Sequence, residues 1–352
     1  MIGWEDIYKV VVAMAPLYVA LTLGYCSVKW WRIFTPEHCE AINKMVCFFT
    51  LPLFTFEFTA HVDPFKMNYK FMGADAISKL IIVTVLSLWA KLCGTKGSYC
   101  WLITSFSLST LTNSLVVGVP LLKAMYGPMA VDLVVQSSVF QALVWLTILL
   151  FVLEIRRTKN ELHIGDDHVI KNDVGGNMEA GIIGRSGPTF WTLTKAVWVK
   201  LAMNPNSYAC IIGIIWAFLS NRWHFPMPTI VEGSILIMSR AGTGTAMFSM
   251  GMFMAMQEKV IACGASLTVF GMALRFIAGP LAMAIGSIAV GLHGDVLRVA
   301  IIQAALPQSI TSFIFAKEYG LHADVLSTAV IFGMIVSLPV LIGYYAVLEF
   351  VH

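Results

Sequence analysis

Two apolar segments of the chain contain a proline and several polar residues where a membrane helix would otherwise run without interruption. They cover residues 111–120 and 303–312. Proline removes a backbone hydrogen-bond donor and clashes with the preceding turn, and at membrane depth the freed backbone groups need partners from protein or from a water-filled cavity. Because paired interrupted helices in corresponding places of two halves are typical of a transporter's binding site, the pattern predicts a secondary carrier with a central site.

Composition places most of the chain in a membrane. Hydrophobic residues make up 58% of it and charged residues 12%, which is about half the charged share of a soluble domain. Ten apolar segments reach the roughly 20 residues that cross the hydrocarbon core. The first has no basic region before it and no small-residue cleavage site after it, which favours a retained span over a signal peptide. The ten predicted spans are 7–28, 39–60, 71–92, 99–123, 131–155, 198–220, 229–254, 261–290, 296–316 and 324–350.

A polar segment divides the predicted spans into five and five. Residues 156–195 contain charged residues and glycines without an apolar period, and predict a hydrophilic loop between membrane halves at 1–155 and 196–352. The halves resemble each other, for example in residues 123–127 and 317–320, although chance similarity between apolar helices is the alternative. Five spans per half is an odd number, so the second half is predicted to be inverted relative to the first.

Lysine and arginine are unevenly distributed between the predicted loops. The face with the central loop has fourteen basic residues and the opposite face has six. Because short cytosolic loops are richer in Lys and Arg, the central loop is predicted to be cytosolic, and both termini are predicted to lie on the lumenal or outer side.

Two ionisable residues in the third span are four positions apart and share one helix face. They are Asp75 and Lys79. A charge at the bilayer centre costs about 2.5–3.5 kcal/mol, so an acid and a base at this spacing can offset one another. They are predicted to relay charge beside the substrate path, and the alternative is a neutralised pair near a helix end. Arg275 occupies the matching position in span eight, which indicates a buried cation in each half.

Amide side chains at the interruptions are the candidate ligands for an anion. Asn113 lies inside the first interrupted segment, and its amide can donate to a carboxylate without the cost of a buried charge. The N-termini of half-helices at such a break add positive potential. The alternative is an amide that only satisfies freed backbone groups. Gln141 and Gln308 are weaker candidates of the same kind.

Motifs of enzymes and pumps do not occur on the apolar helices. The sequence has no nucleotide-binding loop, no Ser-His-Asp set, no HExxH motif and no paired catalytic acids there. The seven cysteines lack metal-ligand spacing and are interpreted as small buried hydrophobic residues. The chain is therefore predicted to be neither an enzyme nor an ATP-driven pump, with no cofactor and no metal.

The sequence resembles the PIN-FORMED auxin carriers of plants over both membrane halves. The central loop is hundreds of residues long in plasma-membrane members of that family. In this chain it has about forty residues, and in this it resembles the short endoplasmic-reticulum type. The stretches that carry the resemblance are residues 13–21, 29–31, 113–120, 204–208, 301–308, 315–319 and 327–334.

The resemblance implies an all-α membrane protein of ten transmembrane helices in two inverted five-helix repeats. It also implies a homodimer with a bile-acid-symporter-like elevator architecture, in which helices four and nine are broken and cross at Pro120 and Pro307. The auxin carboxylate would bind Asn113, and Asp75 with Lys79 would support the site. The remaining substrate-binding positions would be Leu51, Thr55, Leu115, Gln141, Asn206 and Ile310.

Several positions depart from the family pattern at the crossing. Thr112 stands where proline often precedes the asparagine, and Thr55 replaces a serine. The crossing in helix nine is predicted to be more polar, with one proline fewer. The residues that stand there in place of Gly, Val and Pro are Ser309, Thr311 and Ser312.

These features together predict facilitative, uniport-like transport of the indole-3-acetate anion across the endoplasmic-reticulum membrane, contributing to intracellular auxin homeostasis. The predicted partners are indole-3-acetic acid and related aromatic carboxylates, the lipid bilayer and a second copy of the chain, with no nucleic acid. One alternative is a sodium- or proton-coupled organic-anion symporter of the same architecture. Another is a membrane receptor or scaffold that binds auxin without moving it.

Overall fold

The computed structural model describes residues 4–93, 98–157, 190–257, 259 and 261–350. Helices dominate these residues, and we number them α1 to α10; α4 and α9 are each split in two, and α6 is interrupted at Asn204. Among the described residues there is no strand, only one isolated β-bridge, and the prediction of an all-α membrane protein is confirmed. The helices are α1 (Trp4–Lys29), α2 (Pro36–Ala60), α3 (Tyr69–Cys93), α4a (Ser98–Thr110), α4b (Ser114–Tyr126), α5 (Pro128–Arg157), α6 (Phe190–Met203 and Pro205–Trp223), α7 (Thr229–Met256), α8 (Ala265–Ala289), α9a (Gly294–Ala304), α9b (Ile310–Glu318) and α10 (Ala323–Phe350).

Six of the described helices are long and apolar enough to cross a membrane: α1, α2, α3, α5, α8 and α10. The halves of α4 and α9 are each shorter than a span, because both helices are broken. Helices α6 and α7 are not among the six. The ten crossings and the inverted orientation of the second half therefore stay predictions.

The predicted central loop overlaps helices at both of its ends. Helix α5 continues to Arg157, and α6 begins at Phe190, so the ends of the predicted segment 156–195 are helical. The rest of that segment lies outside the described residues.

Three prolines follow short π-helical turns inside otherwise continuous helices. The turns end at Thr50, Gly118 and Ala278, each two residues before a proline, at Pro52, Pro120 and Pro280. A proline cannot donate the usual helical hydrogen bond and its ring crowds the preceding turn. A wider turn of the π type gives the ring room, so these prolines do not end their helices.

Two groups of helices pack mainly within themselves. We call α1, α2, α6 and α7 the frame group and the remaining helices the crossing group. In the frame group, α1 runs along α7, while α2 contacts both α6 and α7. The backbones of α1 and α7 touch, since a Cβ added to Gly24 or Gly251 would overlap a carbonyl oxygen of the facing helix. In the crossing group, α3 packs against α8 and α4a against α3.

The packing pairs have a reciprocal pattern. The contact of α1 with α7 has a counterpart in the contact of α6 with α2, and α3 packs against α8. If each of the first five helices is matched with the helix five places later, the α1–α7 pair corresponds to the α6–α2 pair, and the α3–α8 pair corresponds to itself. A large shared hydrophobic cluster lies where α1, α4b, α5, α7, α9a and α10 meet.

Candidate functional site at a helix crossing

Helices α4 and α9 break at the same place and hydrogen-bond to each other through their backbones. The Asn113 N–H donates to the Pro307 carbonyl oxygen (2.9 Å), and the Ser309 N–H donates to the Leu111 carbonyl oxygen (3.2 Å). Thr112 and Gln308 form an antiparallel bridge between these bonds. Each interrupted segment thus supplies partners for backbone groups that the other segment has lost, which a break inside a membrane requires.

The structure places Pro307 at this crossing but not Pro120. The break in α4 lies at residues 111–113, whereas Pro120 lies seven residues after Asn113 and within α4b. The position predicted for Pro120 is therefore corrected. The physical reason is the π turn at Ser114–Gly118, which lets the helix continue through the proline.

Amide side chains from α5 and from the break in α9 satisfy backbone groups of the broken α4 segment. Gln141 of α5 accepts from the Thr112 N–H (3.0 Å) and donates to the Thr112 carbonyl oxygen (2.9 Å). Gln308 donates to the Ser107 carbonyl oxygen (2.9 Å) and to the Ser312 hydroxyl (2.7 Å). Gln141, which was predicted to bind substrate, holds the backbone next to Asn113.

A third amide, from α9a, links the two broken helices next to the crossing. Gln303 of α9a donates to the Ser114 hydroxyl (2.6 Å), and that hydroxyl lies 2.6 Å from the hydroxyl of Thr112. Gln303 is buried, and its carbonyl oxygen has no hydrogen-bond partner. Its place in the second interrupted segment was a sequence signal, but its contact with Ser114 depends on the crossing.

Asn113 occupies the N-cap position of α4b without capping the helix. Its side chain makes no hydrogen bond to the first turn, and the residue is half-buried. At the equivalent position of α9b, the Ser309 hydroxyl accepts from the Thr311 N–H. Since a helix N-terminus carries partial positive charge, the Asn113 amide lies at a position suited to an anion and is not used for capping.

The ion pair predicted from sequence spacing is present in α3. Lys79 Nζ lies 2.6 Å from Asp75 Oδ1, and both side chains are buried. The indole N–H of Trp145 donates to Asp75 Oδ2 (3.0 Å), and Lys79 Nζ lies 5.1 Å from the centre of the Trp145 ring. No sequence pattern indicated Trp145. A cavity of about 20 Å³, lined by this pair together with Thr112 and Gln303, connects it to the crossing.

Arg275 of α8 is fully buried beside the same crossing. Its guanidinium donates to the carbonyl oxygens of Leu108 and Leu111, both at 3.2 Å, and of Ala304 at 2.7 Å. These carbonyls lie at the C-terminal ends of α4a and α9a. The Arg275 Nε–H has no partner. The prediction of a buried cation in each half agrees with these positions of Lys79 and Arg275.

The remaining predicted residues lie in two places. Thr55 donates to the side-chain oxygen of Asn206 (2.5 Å), which joins α2 to α6. Leu51, Leu115 and Ile310 are partly buried against one hydrophobic cluster.

A second cavity is a cleft of about 540 Å³. It lies between α9b on one side and the N-terminal part of α2 and the C-terminal part of α7 on the other. Of the predicted site residues, only Ile310 lines it, at its inner end. The polar residues of its wall include Asn43, Ser249 and Lys317. The cleft leads from the surface to the first turn of α9b, which begins at the crossing.

Comparison with known proteins gives consistent matches over the whole chain. A family described as membrane transport protein matches residues 9–345. The chain is 71% identical to auxin efflux carrier component 5 of Arabidopsis thaliana over all of both chains. It is 41% identical to auxin efflux carrier component 8 of the same plant, over 99% of this chain and 100% of the relative. Auxin efflux carrier component 4 is 30% identical over 616 aligned positions, so that relative has segments that this chain lacks.

Proposed function

Because this chain belongs to the membrane transport protein family, and within it to the short-loop PIN-FORMED carriers, we propose that it carries the indole-3-acetate anion across the endoplasmic-reticulum membrane as a uniporter. Membership confirms the resemblance and the prediction of a transporter rather than an enzyme. The names of the relatives support auxin as the substrate, and transport across this membrane would contribute to auxin homeostasis inside the cell.

The observation that carries the proposal is the side-chain amide of Asn113, which lies at the backbone crossing and does not cap α4b. The substrate carboxylate would accept hydrogen bonds from this amide and from the first turn of α4b, where the helix dipole is positive. The aromatic ring would pack on Leu51, Leu115 and Ile310, which share one hydrophobic cluster. Thr55 and Asn206 would complete the polar side. Most small-molecule sites combine apolar walls with a few placed polar groups in this way.

An elevator movement is the transport mechanism we propose. The reciprocal packing pairs support two inverted five-helix repeats, residues 1–155 and 196–352. The two helix groups pack mainly within themselves, so the crossing group can move as a body along the frame group. The 540 Å³ cleft lies between frame helices and α9b and would be the substrate's route to one face. Asp75 and Lys79 would transmit substrate binding to this movement.

Flux in proteoliposomes tests the uniport proposal. Radiolabelled indole-3-acetate should enter vesicles that contain the purified protein, benzoate should compete, and replacing sodium or removing a pH gradient should not change the rate. A potential that attracts the anion should raise the rate, since one charge across 100 mV corresponds to about 2.3 kcal/mol. Strict dependence on sodium or on a proton gradient would favour the coupled symporter. Binding without flux would favour the receptor.

The proposed cellular arrangement needs separate tests. A fluorescent fusion should coincide with a marker of the endoplasmic reticulum. Epitope tags should be accessible from the cytosol in the central loop but not at either terminus. Location of the fusion at the plasma membrane, or tags with the opposite accessibility, would contradict these parts of the proposal.

A homodimer is also proposed, because Arg240 is exposed near the middle of α7. An unshielded charge at that depth costs about 2.5–3.5 kcal/mol or more, and a second copy against α7 would shield it. Light scattering of the purified protein should give the mass of two chains, and a monomer mass would contradict this.

A further inference from the structure

We propose that Arg275 makes the crossing selective for an anion by neutralising the C-terminal ends of α4a and α9a. This rests on the proposed function, because it concerns the ligand of the same site. It assigns Arg275 as a positioning residue that acts on the ligand through the field at the crossing, and not through contact with it.

Four half-helix ends meet at the crossing, and their charges oppose one another. Each helix N-terminus carries roughly half a positive charge and each C-terminus roughly half a negative charge. The N-termini of α4b and α9b begin at Ser114 and Ile310, and the C-termini of α4a and α9a end at Thr110 and Ala304. Without another charge, the two C-termini would largely cancel the attraction of the two N-termini for an anion.

Arg275 contacts the two C-termini and neither N-terminus. Its three hydrogen bonds go to carbonyl oxygens at the ends of α4a and α9a. One acceptor, the Leu111 carbonyl oxygen, also accepts the crossing bond from Ser309. A single guanidinium therefore offsets about one negative charge in total, and the positive potential of the N-termini is left for the ligand.

The buried charges of the described residues lead to the same conclusion. Three side chains that are charged at neutral pH are buried there: Asp75, Lys79 and Arg275. Asp75 and Lys79 bond to each other, so this pair contributes no net charge. Arg275 has no carboxylate among its hydrogen-bond partners, and arginine stays protonated in proteins. The described part of the crossing group thus has one excess buried positive charge, which a bound carboxylate would balance.

A purely structural role for Arg275 makes a different prediction. If the guanidinium only holds the broken helices together, its loss should weaken binding of charged and uncharged ligands alike. If it sets the potential, its loss should weaken binding of an anion much more than binding of a neutral ligand of the same shape. The ratio of two affinities therefore distinguishes the roles.

The test compares indole-3-acetate with uncharged indole-3-acetamide on purified full-length protein. The wild type should bind the carboxylate at least about tenfold more tightly, the effect of unit charges roughly 10 Å apart at an effective dielectric of about 20. Arg275→Gln should reduce this ratio about tenfold. Arg275→Lys keeps the charge and loses the forked geometry, so it should weaken binding of both ligands and keep the ratio. Arg298→Gln, at an arginine of α9a paired with Asp295 and Glu349, is the matched control and should keep the ratio.

Each result decides a separate question. An unchanged ratio in folded Arg275→Gln would overturn the proposal, and so would loss of the ratio in Arg275→Lys, which remains informative if the glutamine variant does not fold. A wild type that binds indole-3-acetate no better than the amide would also overturn it. If the wild type binds neither ligand, it is the proposed function that fails.

Discussion

The two halves of the crossing solve the same backbone problem differently. In the α9 half, the N-cap residue Ser309 caps its own helix, and Gln308 of the same segment donates to the Ser312 hydroxyl and across to the Ser107 carbonyl oxygen of α4a. In the α4 half, the backbone of Thr112 is held by Gln141 from another helix, and the N-cap residue Asn113 leaves its side chain uncommitted. The difference is that the α9 half caps its own helix, whereas the α4 half is held by side chains from other helices and has an N-cap amide that is free for a ligand.

The largest expected effect concerns the ion pair behind the α4 half. Breaking a buried pair costs about 3–5 kcal/mol, whereas removing both members can be nearly neutral. Lys79→Ala and Asp75→Ala should each lower the melting temperature, and the double variant should recover it while transport stays impaired. The exposed pair Glu40–Lys44 of α2, which has the same four-residue spacing, is the control, and its removal should leave the melting temperature nearly unchanged, because exposed ion pairs contribute little to stability.

A double-mutant cycle on melting temperature, run beside proteoliposome flux, checks this. Additive losses would reject coupling between Asp75 and Lys79. Recovery of flux together with stability would show that the pair is only structural. The proposed role of the pair in transmitting substrate binding would then be rejected.

The next largest effect is a loss of ligand affinity, which should differ between the two N-cap residues. Asn113→Ala should weaken indole-3-acetate binding ten- to a hundredfold, because a hydrogen bond to a charged group contributes about 1.5–3 kcal/mol. Ser309→Ala should leave affinity within about threefold and cost about 1 kcal/mol of stability through the lost cap. Equilibrium binding and thermal unfolding of both variants check this. Equal losses of affinity would show that the halves are not functionally different.

The two glutamines sharpen the same comparison. Gln141→Leu removes both partners of the Thr112 backbone, and each group left unsatisfied costs about 1–3 kcal/mol. It should lower stability and also displace Asn113, so affinity falls as well. Gln308→Leu should lower stability by a similar amount with little change in affinity. Unfolding and binding, measured on the same preparations, check this. If Gln308→Leu weakened binding as much as Gln141→Leu, the proposed difference between the two halves would be contradicted.

The smallest change in stability is expected for the prolines. Pro307→Ala and Pro120→Ala should each change stability by about 1 kcal/mol or less. Pro307→Ala should slow transport, because it allows helical bonding through the break in α9, whereas Pro120→Ala should leave flux near the wild-type rate. Flux measured at matched protein density checks this, and slow transport by Pro120→Ala alone would locate the critical break elsewhere.

The residues show which parts of this site could be predicted. Asp75 and Lys79 were predicted as a pair because four residues on one helix define a shared face. The break near Pro307 was predictable because proline cannot donate a helical bond. Pro120 was misplaced, since the π turn that absorbs it depends on packing. The two bonds between the Gln141 amide and the Thr112 backbone could not be predicted, because sequence alone does not show that these residues, 29 positions apart, meet.

The sequence by itself determined an apolar helical chain, the two segments that contain its breaks and the buried ion pair, because hydropathy, proline chemistry and helical periodicity act within a few residues. Only the tertiary structure decided that both breaks meet, which amides hold the backbone and which one stays uncommitted. It also decided that Arg275 contacts two helix C-termini. The contacts between the two broken helices and from Arg275 to α4a join residues more than 160 positions apart in the chain, and such pairings follow from the packing of whole helices.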